Sequence, residues 1–137
     1  LLEQAPHAGL QRLVGDLNRL YRKESSLHRG QYQAPGFEWI DCHDSTQSVL
    51  SYLRWDGGSF HVVVLNFTPV VRRDYRIGVP REGAYSEALN SDSRFYGGSD
   101  VGNGPEVHSQ PLPWMGQRHS ISLTLPPLGA LVLKVNA

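Results

Sequence analysis

Three carboxylates lie close together in the sequence and are the first candidates for chemistry: Glu38, Asp41 and Asp44. Two carboxylates held at a set separation can cleave or transfer a glycosidic bond. On a strand, however, Glu38 and Asp41 point to opposite faces. Nothing around them would give one group the role of acid and the other that of nucleophile or base. We therefore expect structural or surface roles for all three and predict no catalytic residue.

Trp39 is a better candidate for binding than for reaction. An indole face can stack on the apolar face of a sugar ring, while neighbouring polar side chains bond its hydroxyls. Most aromatic residues of the chain are expected in the core. Trp39 lies where the helical part gives way to strands, close to any groove between domains. We predict it as the one substrate-binding residue.

Metal and cofactor sites are not indicated by the sequence. The histidines form no spaced pair, and Cys42-His43 alone is not a zinc signature. Ser99 stands among glycines, but residues 97–102 have neither dinucleotide-binding nor nucleophile-elbow spacing. We predict no metal and no cofactor.

The overall charge and the apolar runs exclude two classes of partner. Lys+Arg and Asp+Glu are 13 each, so the net charge is zero, which argues against nucleic acid and anionic membranes. No apolar run approaches the ~20 residues of a membrane-spanning helix. The single cysteine, Cys42, favours a reducing compartment, and we expect a cytoplasmic protein.

Residues 8–23 have the pattern of an amphipathic helix. Its apolar positions repeat every three or four residues; they are Leu10, Leu13, Val14, Leu17, Leu20 and Tyr21. With no second helix to receive this face, the helix either caps the strands or belongs to a domain before residue 1. The chain begins at Leu1 and its only methionine is Met115, so we expect a fragment and favour the second alternative.

After Pro35 the periodicity becomes that of strands. Predicted strands span residues 37–42, 49–55, 60–67, 75–79, 84–89, 119–125 and 130–135. Asp56-Gly57-Gly58-Ser59 predicts a hairpin turn, and residues 90–114 are mostly turn-forming. The sequence predicts a mainly β fold, an antiparallel β-sandwich of Greek-key type preceded by one amphipathic α-helix.

Several stretches give the chain a family resemblance. They are Gln11-Arg12-Leu13-Val14, Asp16-Leu17-Asn18, Gly36-Phe37-Glu38-Trp39, Asn66-Phe67-Thr68-Pro69, Asp74-Tyr75-Arg76, Leu89-Asn90-Ser91-Asp92, Tyr96-Gly97-Gly98-Ser99, Gly102-Asn103-Gly104 and residues 119–128. In order and over nearly the whole chain, they resemble the C-terminal end of a bacterial 1,4-α-glucan (glycogen) branching enzyme of the α-amylase superfamily.

The resemblance implies a parent with a central TIM-type barrel and a C-terminal β-domain. Such a barrel cuts an α-1,4-glucan and transfers the segment to a 6-hydroxyl by a retaining mechanism. No residue of this chain matches the barrel motifs. The implied organisation is the last barrel helix at 1–25, a connector at 26–36 and the β-domain at 37–137.

The resemblance also implies partners. These are α-glucan, through the parent enzyme, and the barrel itself, through the helix residues Leu10, Leu13, Leu17 and Leu20. Two other interpretations stay open: a free-standing carbohydrate-binding module, and a purely structural interface domain. Without a barrel, the leucine face is expected to self-associate, become disordered or dock onto the β-domain.

Overall fold

The computed structural model describes residues 5–28, 36–44 and 48–136. It has two helices, α1 (Ala5–Lys23) and α2 (Ser25–His28), followed by strands and one 3₁₀ turn at Arg94–Tyr96. The strands are β1 (Phe37–Asp44), β2 (Val49–Asp56), β3 (Ser59–Asn66), β4 (Arg72–Val79), β5 (Ala84–Asn90), β6 (Val107–His108), β7 (His119–Leu125) and β8 (Gly129–Val135).

The strands form two antiparallel sheets of unequal size. The larger has six strands in the order β1-β2-β3-β8-β5-β6, and the smaller pairs β4 with β7. The chain moves from β3 to β4 in the small sheet, returns to the large sheet for β5 and β6, and passes through β7 of the small sheet to β8, so it crosses between the sheets four times. The predicted antiparallel sandwich is confirmed.

The main core lies between the two sheets. The large sheet contributes one face of its central strands and the small sheet contributes its inner face; the fully buried members include Leu53, Val62, Val64, Ile77, Val79, Ile121, Leu123, Leu131 and Leu133. In β7 the inward residues alternate with serine and threonine, as expected for a strand with one face in a core.

The central strands are apolar on their second face as well. In β3 the residues from Phe60 to Val64 are all buried, a continuous run typical of a strand covered on both sides. Val63, Leu89 and Val132 form a separate buried cluster on this side. We call the face of the six-stranded sheet opposite the β4–β7 pair the outer face.

The predicted helix and the predicted strands are all present, and the structure contains three further elements that were not predicted. The hairpin between β2 and β3 has a two-residue turn in which Gly57 takes a φ of 59°, which glycine adopts without strain. The structure adds α2, the 3₁₀ turn and the two-residue β6. These elements were not predicted because each spans only about one period, too little for a pattern to repeat.

Candidate functional site

Helix α1 docks on the outer face through only part of its apolar surface. Leu13 and Leu20 pack against the outer-face cluster of Val63, Leu89 and Val132. Docking on the β-domain was one of the expected fates of the leucine face. It is confirmed for these two residues and is wrong for Leu10 and Leu17, which remain exposed.

The N-terminal half of α1 is held by the loop that follows β5. The Tyr96 hydroxyl donates to Oδ2 of Asp16 at 2.6 Å, and Nη1 of Arg12 donates to the Phe95 carbonyl oxygen at 3.0 Å. Gly9 is buried against Tyr96, and a Cβ at Gly9 would overlap the Tyr96 carbonyl. The contact therefore combines polar bonds with a close approach that only glycine permits.

The loop itself is fixed by the Asp92 side chain. Asp92 accepts bonds from the Ser99 backbone and hydroxyl and from the Val101 backbone, at 3.1, 2.6 and 3.0 Å. Asn90 adds a bond from its side-chain amide to the Val101 carbonyl at 2.8 Å. Asn and Asp side chains thus close the loop on itself, and its rigid surface receives the helix.

A stripe of apolar side chains on α1 remains uncovered. Leu10, Val14, Leu17 and Tyr21 are between 42% and 57% exposed and lie four, three and four residues apart, on one side of the helix. We call these four residues the apolar stripe. An uncovered row of this kind on a folded domain marks an interaction surface.

Between α1 and the outer face lies a cavity of about 520 Å³. Its walls are mainly apolar, and Leu17 and Tyr21 of the apolar stripe contribute to them. Arg54 also lines the cavity and is only 7% exposed; among the described residues, its Nη2 is buried and has no hydrogen-bond partner. A buried guanidinium nitrogen without a partner costs stability.

Trp39 lies on the edge strand β1 and is 48% exposed. Its ring is in edge contact with Phe37, at a centroid distance of 5.0 Å, and with Tyr52, at 5.9 Å. Both of these rings line the cavity, so Trp39 borders it. Trp39 is thus half-exposed and supported by two rings, and its binding role stays a prediction.

A buried polar contact joins α2 to the sheet. His61 on β3 is 4% exposed and Ser26 on α2 is 1% exposed, with Nδ1 and Oγ 2.6 Å apart. On the other side of the ring, Nε2 is buried and lies 3.9 Å from Oε2 of Glu24. Burial lowers the pKa of His61 below its ordinary value, an effect that Glu24 opposes.

The other sequence candidates are described only in part. Glu38 accepts a bond from Nε2 of Gln117 at 3.0 Å, a structural contact on the face of β1 opposite Trp39, while the side chains of Cys42, His43 and Asp44 fall outside the described residues. Among the described residues, no three His, Cys, Asp or Glu side chains converge as a metal site. Within the same ranges, no helix has the length and hydropathy to cross a bilayer.

Comparison with known proteins identifies the domain. Residues 39–136 match the family described as alpha amylase, C-terminal all-beta domain. The chain belongs to this family. The alpha-amylase C-terminal domain accounts for β1 to β8, whereas α1 and α2 precede the matched residues.

Curated relatives match the helices and the β-domain together. The chain is 56% identical over 135 residues to the 1,4-alpha-glucan branching enzyme GlgB of Cellvibrio japonicus, and 57% identical over 136 residues to that of Thiobacillus denitrificans. Each match covers 98% of this chain and 18% of the relative. The chain therefore spans about a fifth of the length of these curated relatives.

Among solved structures, the fold is similar to that of CldA, described as the first cyclomaltodextrin glucanotransferase with a three-domain ABC distribution. The TM-score is 0.56 at 18% identity, over 90% of this chain and 22% of that one. At this identity the likeness supports the alpha-amylase C-terminal fold alone.

Two buried polar features of the outer face were not predicted from the sequence: the side chain of Arg54 and the contact between His61 and Ser26. A signal for both was present. In a strand, every second residue shares a face, so Arg54 lies beside Tyr52, and His61 beside Val63. What the pattern does not show is that this second face is covered, which depends on where α1 and α2 return.

The contact between α1 and the loop after β5 predicts opposite changes in stability when two glycines of α1 are replaced by alanine. Gly9→Ala should destabilise the chain by about 1–3 kcal/mol, because the methyl group overlaps the Tyr96 carbonyl. Gly15→Ala should stabilise it by up to about 1 kcal/mol, since the nearest atom to an added Cβ lies at 3.7 Å and alanine favours helix. Urea unfolding measures both; equal effects of the two substitutions would contradict the docking described.

The buried histidine predicts a pH dependence of stability. Because the pKa of His61 is lowered in the folded state, its contribution is complete above the unfolded value of about 6.5 and is lost as pH falls through the folded value. Unfolding midpoints should therefore decrease between about pH 7 and pH 5. His61→Gln should flatten this slope, whereas His108→Gln, at an exposed position, should preserve it; an unchanged slope in His61→Gln would refute the assignment.

Proposed function

We propose that the chain is the accessory β-domain of a 1,4-α-glucan branching enzyme and that it acts by completing and stabilising the catalytic barrel. The parent would transfer α-1,4-glucan segments to 6-hydroxyls in the formation of glycogen. Supporting this are the branching-enzyme relatives, which match the chain over 98% of its length. No residue of this chain is assigned a catalytic role, and we propose a cytoplasmic location.

The observation that carries the proposal is the unfinished outer face. The β4–β7 pair covers the inner face of the large sheet, whereas on the outer face the described part of α1 packs against the buried cluster through Leu13 and Leu20. The exposed apolar stripe and the neighbouring cavity form one continuous apolar region, because Leu17 and Tyr21 belong to both. A catalytic barrel packed on this region would bury it, with α1 as the barrel's last helix.

Arg54 lines the same cavity and is only 7% exposed, so a barrel packed on this region would lie beside a buried guanidinium group. The proposed organisation follows: residues 1–25 belong to the barrel, 26–36 connect, and 37–137 form the β-domain. The Ser26–His61 bond would then fix the connector to the β-domain.

A chimera tests this role. In the Cellvibrio japonicus relative, the matching residues are replaced by this chain, and Leu10→Gln is combined with Leu17→Gln. We expect the double substitution to lower the stability of the chimera by about 4 kcal/mol, since two buried leucines are lost, and to reduce branching measured by iodine staining. In the 137-residue chain alone, the same change should cost about 1 kcal/mol or less.

The control for the chimera carries Val70→Gln with Leu128→Gln, which are also exposed in the chain, at 50% and 69%, but lie off the stripe. This pair should leave the chimera's stability and branching unchanged. If the stripe variant behaves like this control, the barrel does not pack on the apolar stripe and the proposed role is wrong.

A second candidate function is direct contact with glucan at Trp39. Its support is the half-exposed indole on an edge strand, held in place by Phe37 and Tyr52. In this role the β-domain would act as a carbohydrate-binding surface in addition to its role as a buttress.

Affinity electrophoresis in glycogen gels tests the second function. The native chain should be retarded, and Trp39→Ala should weaken binding about 2- to 12-fold, the equivalent of losing one aromatic stacking contact. Phe95→Ala removes another exposed aromatic ring and should leave the retardation unchanged. Equal retardation of the native and Trp39→Ala chains would remove Trp39 as a binding residue.

A further inference from the structure

The turn before β7 presents a second exposed tryptophan. Trp114 is 44% exposed and faces a depression of about 470 Å³ lined by residues 113–118. Trp55, by contrast, packs against the main core. The exposure of Trp114 is therefore a local feature of this turn.

The turn holds Trp114 in one position. Residues 114 and 117 exchange two backbone hydrogen bonds, of 3.0 and 2.9 Å, and between them Met115 and Gly116 have φ values of 49° and 78°. This is a tight two-residue turn with both central residues in the left-handed region. Its backbone lies against Gly78 of β4 so closely that a Cβ there would overlap the Trp114 carbonyl.

Polar groups that can bond hydroxyls flank the indole. The Arg76 guanidinium lies 6.0 Å from the ring centroid and is fixed by a bond from Nη1 to the Ser120 hydroxyl at 2.8 Å. Gln117 places its amide beside the Glu38 carboxylate at 3.0 Å. Arg118 completes the lining of the depression. The surface thus combines one fixed aromatic ring with both donors and acceptors.

The same contacts connect this turn to Trp39. Glu38 precedes Trp39 on β1, and its carboxylate binds Gln117, so the turn is attached to the edge strand that carries Trp39. Because consecutive residues of a strand face opposite ways, the two tryptophans lie on either side of that edge.

We infer that the Trp114 turn is a second glucan-binding site, which takes a segment of an α-1,4-glucan chain by stacking of one glucosyl ring on the indole. Arg76, Gln117 and Arg118 donate to its hydroxyls, and Glu38 accepts. A rigid aromatic platform suits a sugar because little side-chain freedom is lost when the complex forms. The inference rests on the proposed function for its ligand class, but not on Trp39 as a binding residue.

Titration with maltoheptaose and with glycogen tests the inference. Dissociation constants are measured by calorimetric titration for maltoheptaose and by affinity electrophoresis for glycogen, on the native chain, on Trp114→Ala and Trp114→Phe, and on Leu112→Ala as the control. Leu112 is two residues away and, like Trp114, 44% exposed. We expect Trp114→Ala to weaken binding about 2- to 12-fold, Trp114→Phe to weaken it less, and Leu112→Ala to have no effect. Dextran, an α-1,6-glucan, should bind less tightly than maltoheptaose to the native chain.

The outcomes separate this inference from the proposed function. If Trp114→Ala binds as tightly as the native chain, the second site is refuted, whatever the result for Trp39→Ala. If the native chain binds neither maltoheptaose nor glycogen, both glucan contacts are refuted, while the buttressing role, which the chimera tests through stability, still stands. If Leu112→Ala weakens binding as much as Trp114→Ala, the effect is not specific to the indole and the inference also fails.

Discussion

The structure depends on one constraint: the central strands of the large sheet are apolar on both faces, and both faces must be covered. The inner face is covered within the domain, because β4 and β7 bring a complete second layer over it. Within the described part of the chain, the outer face is covered in part by α1 and α2. Helix α1 supplies Leu13 and Leu20 to it, and its apolar stripe remains exposed.

This constraint explains the structural role of the loop after β5, which positions α1. Its asparagine, aspartate and glycine residues do not form a reaction centre. Asp92 and Asn90 shape a fixed surface, and Asp16 and Gly9 of α1 bind to that surface. The helix is thereby aligned so that Leu13 and Leu20 reach the sheet, while the apolar stripe stays exposed. The β-domain orients the helix that we propose it shares with the barrel.

Sequence periodicity was sufficient for the regular elements. The amphipathic pattern from Leu10 to Tyr21 and the alternation in β7 predict a helix and a half-buried strand, since each pattern extends over several repeats. The continuous apolar run in β3 predicts a strand, but it does not show what covers the second face of that strand. His61 was not singled out for that reason, as its burial depends on the position of Ser26, 35 residues away in the sequence.

The candidate sites, too, could be predicted from the sequence only in part. Trp39 could be proposed from its place between the helical and β parts, and the structure puts it at the edge of the large sheet, beside rings that line the cavity. Trp114 lies in a stretch without periodicity, and its fixed exposure follows from a two-residue turn and from Gly78, on another strand. The burial of Arg54 could not be predicted, because the cavity that it lines is assembled from α1, α2 and five strands.

The central claim is that the helix-covered face is completed by a packed barrel, and amide hydrogen exchange of α1 measures this most directly. In the 137-residue chain, amides from Leu10 to Tyr21 should exchange faster than those of β2, β3 and β8, because the helix is held on one side only. In the chimera with the Cellvibrio japonicus relative, the same amides should become as protected as the core strands. Equal protection of α1 in the chain alone and in the chimera would contradict the account.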